Sequence, residues 1–226
     1  MKTLEIDTPF GTANAHVSSA DDPRAALVLG HGAGGGVQAK DLVAVARVAH
    51  SVGLSVALVE QPYRVAGRRS PAPAHQLDAA WTAVIDHLLE GELGGLALVA
   101  GGRSSGARVA CRTAEAASAV GVLCLAFPLQ PPRRSGSAPA QSRLPELDAV
   151  TVPVLVVQGT RDQFGLPPAS ERRTVVEVAG DHNLRTDLDA VSQAAREWLI
   201  GIVTDGLGSA ARPRERQGRA GSARPR

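Results

Sequence analysis

Leu96-Ala97-Leu98-Val99-Ala100-Gly101-Gly102-Arg103-Ser104-Ser105-Gly106 is the stretch that decides how this chain of 226 residues is read. Five apolar residues, Leu96–Ala100, run into a glycine-rich turn. An alanine-rich segment, 105–117, follows, with Val109, Ala110 and Ala114 spaced for one helix face. The turn holds G-x-S-x-G at 102–106. A serine on a sharp strand-to-helix turn sits in strained backbone, and small residues two before and two after let that turn pack. The frame selects Ser104, because Ser105 needs a glycine where Arg103 stands. A helix opening at Ser105 aims its first amides at the same place, which favours developing negative charge. Taken alone, the pentapeptide also suits a Gly-Ser turn before an ordinary helix, so its surroundings must decide.

Outward from that stretch, five further runs rich in Val, Leu and Ala are bounded by Gly, Pro or Asp. They are Ala26–Gly30, Ser55–Val59, Gly121–Phe127, Val154–Gln158 and Thr174–Val178. Only the last alternates cleanly between apolar and polar, and continuous apolar runs are what a parallel sheet covered on both faces requires. Residues 12–17 do alternate, and with Leu4–Ile6 they predict an antiparallel hairpin at one sheet edge. Helical spacing links Leu42, Val45, Ala46, Ala49 and Val52. It also links Leu77, Trp81, Val84, Ile85 and Leu88, with Gly91 as a stop. A third stripe joins Leu188, Val191, Ala195, Trp198, Leu199 and Ile202, entered through Thr186-Asp187. Alternating strands and helices predict an α/β fold, a three-layer α/β/α sandwich with a mostly parallel sheet and an antiparallel N-terminal edge. One folded domain is expected over 1–203. Residues 128–145, with five prolines, read as an irregular loop, and 204–226 as a disordered Arg/Gly/Pro-rich tail.

Three more places complete a chemical pattern around Ser104. His31-Gly32-Ala33-Gly34-Gly35-Gly36 follows the first buried run, where glycines let backbone approach a substrate oxygen. The amides of Ala33 and Ser105 are the expected oxyanion-hole donors, each worth about 2.7–4 kcal/mol of transition-state stabilisation. Phosphate cradling competes for this loop, yet no G-x-G-x-x-G with its helix and ribose acid follows, and no G-K-[ST] exists. Val154–Gln158 is followed by Gly159-Thr160-Arg161-Asp162, and Thr174–Val178 by Ala179-Gly180-Asp181-His182. Asp162 and His182 therefore both fall beyond carboxyl ends of strands, on the ligand-binding edge of an open α/β sheet. Asp162 is expected to hold the imidazole tautomer and His182 to take the Ser104 proton. Asp181 is a rival acid, but it adjoins His182 in sequence, where side chains diverge.

The remaining candidates have plainer readings. His50, His75 and His87 fall on or beside helices, His16 in the edge hairpin, and His31 is expected to brace its loop. Cys111 and Cys124 read as small buried hydrophobes. No Cys/His cluster has zinc spacing and no H-E-x-x-H occurs, so neither metal nor cofactor is implied. Arg64, Arg68 and Arg69 read as solvated loop arginines, with attraction of carboxylated substrates as the alternative.

Composition narrows the classes. Two cysteines cannot staple a chain this long, and no apolar run approaches about 18 residues. The opening Met1-Lys2-Thr3-Leu4-Glu5-Ile6-Asp7 carries acids early and no apolar h-region, so a cytoplasmic protein without a membrane partner is expected. The net charge of +2 is uneven. Residues 204–226 hold six arginines against Asp205 and Glu215, leaving 18 basic and 20 acidic residues in 1–203. An acidic body argues against nucleic acid as a partner, leaving the arginine tail as the one feature that could bind it. Six aromatics offer little platform for stacking bases.

With Gly102–Gly106, His31–Gly35, Asp162 and His182 in this order, the chain resembles the α/β-hydrolase superfamily. Gly101-Gly102-Arg103-Ser104, Ala126-Phe127-Pro128-Leu129 and Val157-Gln158-Gly159-Thr160-Arg161-Asp162 are similar to its small, capless, dienelactone-hydrolase-like branch. That branch also includes the hydrolase-like domain of a non-specific-lethal complex subunit. The resemblance spans about residues 24–203 and implies a serine hydrolase without a cap domain. Its expected substrate is a small acyl compound, an ester or thioester, cleaved by a Ser-His-Asp triad through an acyl-enzyme. Branch members carry a histidine after Phe-Pro-Leu, whereas Gln130 stands here, which puts the selectivity at that position in doubt. The alternative expectation is a catalytically weak scaffold that serves as a protein-interaction module.

Overall fold

A computed structural model describes residues 1–131 and 141–206. Part of the expected loop, 132–140, and most of the expected tail, 207–226, lie outside the described residues. The chain opens with the predicted hairpin, β1 (Lys2–Thr8) and β2 (Gly11–Ser18). It then alternates through β3 (Ala25–Gly30), α1 (Lys40–Ser51), β4 (Leu54–Glu60), α2 (Pro62–Val65), α3 (Ala74–Glu90) and β5 (Leu98–Arg103). Next come α4 (Ser105–Thr113), β6 (Gly121–Leu125), α5 (Leu144–Asp148), β7 (Val154–Gly159), β8 (Arg173–Val178) and α6 (Leu188–Gly201). A π-helical turn, Ile202–Gly206, extends α6 past the expected end of the domain.

One sheet of eight strands runs in the order β1-β2-β4-β3-β5-β6-β7-β8. β1, β2 and β4 pair antiparallel and every other pair is parallel. All six residues of β3 are buried, which is why that run shows no polar alternation. Its side chains divide between the faces: Ala26 and Val28 join the layer containing Trp81, Ile85 and Phe127. Leu27 and Leu29 join the opposite layer with Leu42, Leu123 and Leu199. Each apolar strand residue therefore meets helix on whichever face it points to.

The strand order reverses between β3 and β5, because the chain winds outward to β4 and then crosses back. Such a switch point leaves a crevice at the carboxyl ends of the two strands, where open α/β sheets bind ligands. The His31–Gly36 loop leaves β3 there and Ser104 leaves β5 beside it. Helix α4 is pinned from outside: Arg112 pairs with Asp78 of α3 at 2.6 Å, and Arg108 with Glu146 of α5 at 2.5 Å.

Three boundaries differ from expectation. β5 starts at Leu98 and runs on through Gly101, Gly102 and Arg103, where the sequence suggested a break after Ala100. Gly102 pairs with Gly30 of β3, so these glycines are sheet residues. α4 ends at Thr113 and not at 117, because the chain turns through Ser118 at φ 49°. The short helix α5 also closes the expected loop early, burying Leu147.

Candidate active site

Ser104 occupies φ 53°, ψ −108°, in the left-handed region that a side chain rarely enters. Its amide donates to the Leu125 carbonyl at 2.8 Å, which locks the turn to β6. The flanking glycines are demanded by contact. A Cβ on Gly102 would stand 2.6 Å from the Gly30 carbonyl oxygen, and one on Gly106 would collide with that same oxygen. We expect Gly106→Ala to lose about 1–3 kcal/mol of stability, as overpacked cores do. Gly34→Ala, with nothing within 4 Å, is the control and should stay within about 0.5 kcal/mol. Denaturant titration of both compares them; equal midpoints would remove the packing argument.

The three sequence-predicted side chains meet. The Ser104 hydroxyl lies 2.9 Å from Nε2 of His182, and Nδ1 of His182 lies 2.7 Å from Oδ2 of Asp162. The hydroxyl donates to Nε2, and Nδ1–H donates to the carboxylate. Asp162 is 1% exposed and His182 15%, so the carboxylate is shielded while the imidazole remains reachable. Asp181 points elsewhere, accepting the Asn183 amide at 2.9 Å, and does not compete for the imidazole. Two more positive φ values ring the site, Ala126 at 50° and Leu184 at 49°. Strain of this kind concentrates where surrounding structure over-determines a site.

Sequence reasoning assigned no role to two neighbours of this relay. Gln158, fully buried on β7, donates from Nε2 to Oδ2 of Asp162 at 2.8 Å. The same nitrogen faces the carbonyls of Phe127 at 3.1 Å and Gly165 at 3.0 Å. Three acceptors around one nitrogen settle which way the amide points. Oδ1 of Asp162 accepts the Phe164 amide at 2.9 Å, so both carboxylate oxygens are held. The Phe164 ring stands edge-on to the imidazole, with centroids 4.5 Å apart, and covers it. Gln158 lies four residues before Asp162 on an apolar strand, a buried amide that could have been flagged as needing partners.

The glycine loop is braced as expected of His31. The Gln61 amide donates to His31 Nε2 at 3.1 Å, so the ring proton sits on Nδ1 and donates to the Gly32 carbonyl at 2.9 Å. Burial lowers the pKa of His31, which keeps it neutral in this role. The Gly35 amide also reaches the Gly32 carbonyl, at 3.1 Å. Two donors on that oxygen fix the Gly32–Ala33 peptide plane, and a trans peptide turns the Ala33 N–H to the opposite side. Tyr63 donates its phenol to the Ala33 carbonyl at 2.8 Å, and burial pushes that phenol up to about 12. Ser105 opens α4, where the first amides have no acceptor within the helix. Arg68 and Arg69, by contrast, are exposed.

Cys111 of α4 and Cys124 of β6 are both buried, with Sγ atoms 3.5 Å apart. Among the described residues, no group of three or more His, Cys, Asp or Glu could hold a metal ion. Among them too, no helix is long and apolar enough to cross a membrane.

A family model described as alpha/beta hydrolase domain matches residues 23–195. No curated protein matches the chain in sequence. Among solved structures, it is similar to an alpha-beta serine hydrolase homologue from Coxiella burnetii. That pair has 15% identity and TM-score 0.71, covering 88% of this chain and 97% of the other. A serine hydrolase without lid from Xanthomonas campestris aligns with 19% identity and TM-score 0.68, over 87% and 94% of the two chains. A dienelactone hydrolase from Anabaena variabilis aligns with 17% identity and TM-score 0.67, over 88% and 96%. At these identities the structures show a shared fold, which the Xanthomonas protein has without a lid.

Proposed function

Because the chain belongs to the alpha/beta hydrolase domain family, we propose that it is a serine-dependent acyl hydrolase, a carboxylesterase or thioesterase acting on small soluble esters. The observation that carries this reading is the continuous relay from Ser104 through His182 to Asp162, at 2.9 and 2.7 Å. Ser104 Oγ attacks the acyl carbon as its proton passes to His182 Nε2. The carbonyl oxygen becomes an oxyanion, received by the amides of Ala33 and Ser105. His182 returns the proton to the departing alcohol or thiol, leaving an acyl-serine. Water then gives a proton to the same nitrogen, attacks the acyl carbon, and the carboxylic acid leaves as Ser104 recovers its hydrogen. No metal or cofactor enters any step of this scheme.

The ester chemistry named for the Anabaena dienelactone hydrolase supports an ester substrate by analogy of fold. The test is hydrolysis of a p-nitrophenyl ester series from acetate to octanoate, with folding checked by circular dichroism. Turnover above the buffer rate, highest for short acyl chains, is expected. Folded protein with no rate on any ester or thioester overturns the reading and leaves the interaction-module alternative.

A further inference from the structure

The proposed triad depends on a histidine carried by a turn, and one side chain from the nucleophile's own strand reaches across to that turn. We propose that Arg103 is a positioning residue, clamping the His182 turn to the start of α1 through Asp41 and so keeping the imidazole in line with Ser104. This rests on the acyl-hydrolase reading given above.

Arg103 ends β5, one residue before the nucleophile, so its backbone moves with Ser104. Its Nε donates to Oδ2 of Asp41 at 3.0 Å. Its Nη2 donates to the His182 carbonyl at 2.9 Å and to Oδ1 of Asn183 at 3.3 Å. Nη1 lies against the oxyanion loop: a Cβ on Gly32 would stand 2.8 Å from it. One guanidinium therefore touches the nucleophile's strand, the base's own backbone, the oxyanion loop and α1. The planar fork is what permits this, since it offers donors in fixed and divergent directions. An ammonium has one nitrogen on a flexible stem, so it lacks the two rigidly spaced nitrogens that meet Asp41 and the His182 carbonyl here.

Asp41 is 1% exposed, and burial raises the pKa of its carboxyl against the pull of Arg103. A buried ion pair is poor evidence for stability and is better understood as fixing one arrangement among several. The arrangement here is specific. Asp162 and Phe164 hold the imidazole ring by its Nδ1 edge and its flank. Neither holds the His182 backbone, from which the ring hangs. The Arg103 donor to the His182 carbonyl supplies that restraint, and Asp41 keeps the guanidinium from swinging into solvent. A displacement of about 1 Å at a reacting pair can cost about 10²-fold in rate.

The test compares wild type with Arg103→Met, Arg103→Lys, Asp41→Asn and the double variant Arg103→Met/Asp41→Asn. A fluorophosphonate probe reads the rate of covalent labelling at Ser104, and p-nitrophenyl acetate reads kcat and KM. Expected are a fall of about 10–100-fold in labelling rate and kcat for both Arg103 variants, with KM little changed. The double variant should be no slower than Arg103→Met, because both members act through one contact. Added guanidinium at non-denaturing concentration should recover part of the Arg103→Met rate and leave wild type unaffected. A structural role alone would lower thermal stability without this split between kcat and KM or this rescue. The Nδ1 proton resonance of His182 gives a readout independent of turnover, sharp in wild type and broadened in the Arg103 variants. Wild type that fails to label at Ser104 overturns the acyl-hydrolase reading, and the resonance then tests the clamp alone. Folded Arg103→Met that labels as fast as wild type, or keeps a sharp resonance, overturns the clamp. Should Arg103→Met not fold, Asp41→Asn and Arg103→Lys decide the same question by the same readouts.

Discussion

Ser104→Ala is expected to lower kcat for ester hydrolysis by about 10⁶-fold, the scale on which removal of a triad nucleophile is felt. It should also abolish fluorophosphonate labelling. The loss follows from geometry. Ser104 Oγ is placed 2.9 Å from His182 Nε2, at the head of α4 and beside the braced Ala33 peptide. Ser105, next in sequence, is committed to the first turn of α4 and has no glycine partners to let it take the turn position. Alanine keeps the backbone of the turn, whose strain is maintained by Gly102, Gly106 and the Ser104 amide bond to Leu125, so the fold should survive. A residual rate about 10³–10⁴-fold over water is compatible with donors that still bind the oxyanion. Retention of more than a tenth of wild-type kcat, with the protein folded, would remove Ser104 from the mechanism.

The second large effect concerns the acid. Asp162→Asn should lower kcat by about 10⁴-fold while leaving substrate binding largely intact. The carboxylate accepts from three donors: His182 Nδ1 at 2.7 Å, Gln158 Nε2 at 2.8 Å and the Phe164 amide at 2.9 Å. An asparagine brings an NH2 group into that ring of donors and has only one oxygen to share among them. If the oxygen keeps the Phe164 amide, the NH2 faces both His182 and Gln158. The imidazole then accepts at Nδ1 and carries its proton on Nε2, where it can no longer receive one from Ser104. If the amide turns round, its NH2 meets the Phe164 N–H, and stability falls instead. Comparing kcat, KM and the urea midpoint of this variant separates the two outcomes. A kcat within tenfold of wild type would show that Asp162 does not set the tautomer.

How much of this was legible beforehand depends on the range of the interaction involved. Ser104, Asp162 and His182 could be read from local pattern, because each follows an apolar run that ends at the same edge of the sheet. The sheet supplies the convergence: parallel strands deliver all their carboxyl ends to one side. Gly102 departs from its local pattern for a related reason. A glycine pair reads as a break, yet here it marks close packing of β5 against β3 and α4. Alanine-rich sequence favours helix up to 117, whereas the turn through Ser118 stops α4 at Thr113. Propensity is a weak prior and tertiary context overrides it.

The supporting residues were not legible. Arg103 and Asp41 lie 62 positions apart, Arg103 and His182 79 apart, and Tyr63 reaches Ala33 across 30. Nothing in the local pattern around any of them encodes its partner. Gln158 and Asp162 are only four apart, but a strand and a turn must curl back before the amide meets the carboxylate.

By itself the sequence determined the alternation of strands and helices, the strained turn at Ser104 and the order in which Ser104, Asp162 and His182 appear. These are properties of short segments, set by burial periodicity and by where glycine is needed. Only the tertiary structure decided which donors hold Asp162, how the Ala33 peptide is turned and what restrains the His182 backbone. Those depend on directions in space between segments, and hydrogen bonds are made or lost over tenths of an ångström that no spacing along a chain records.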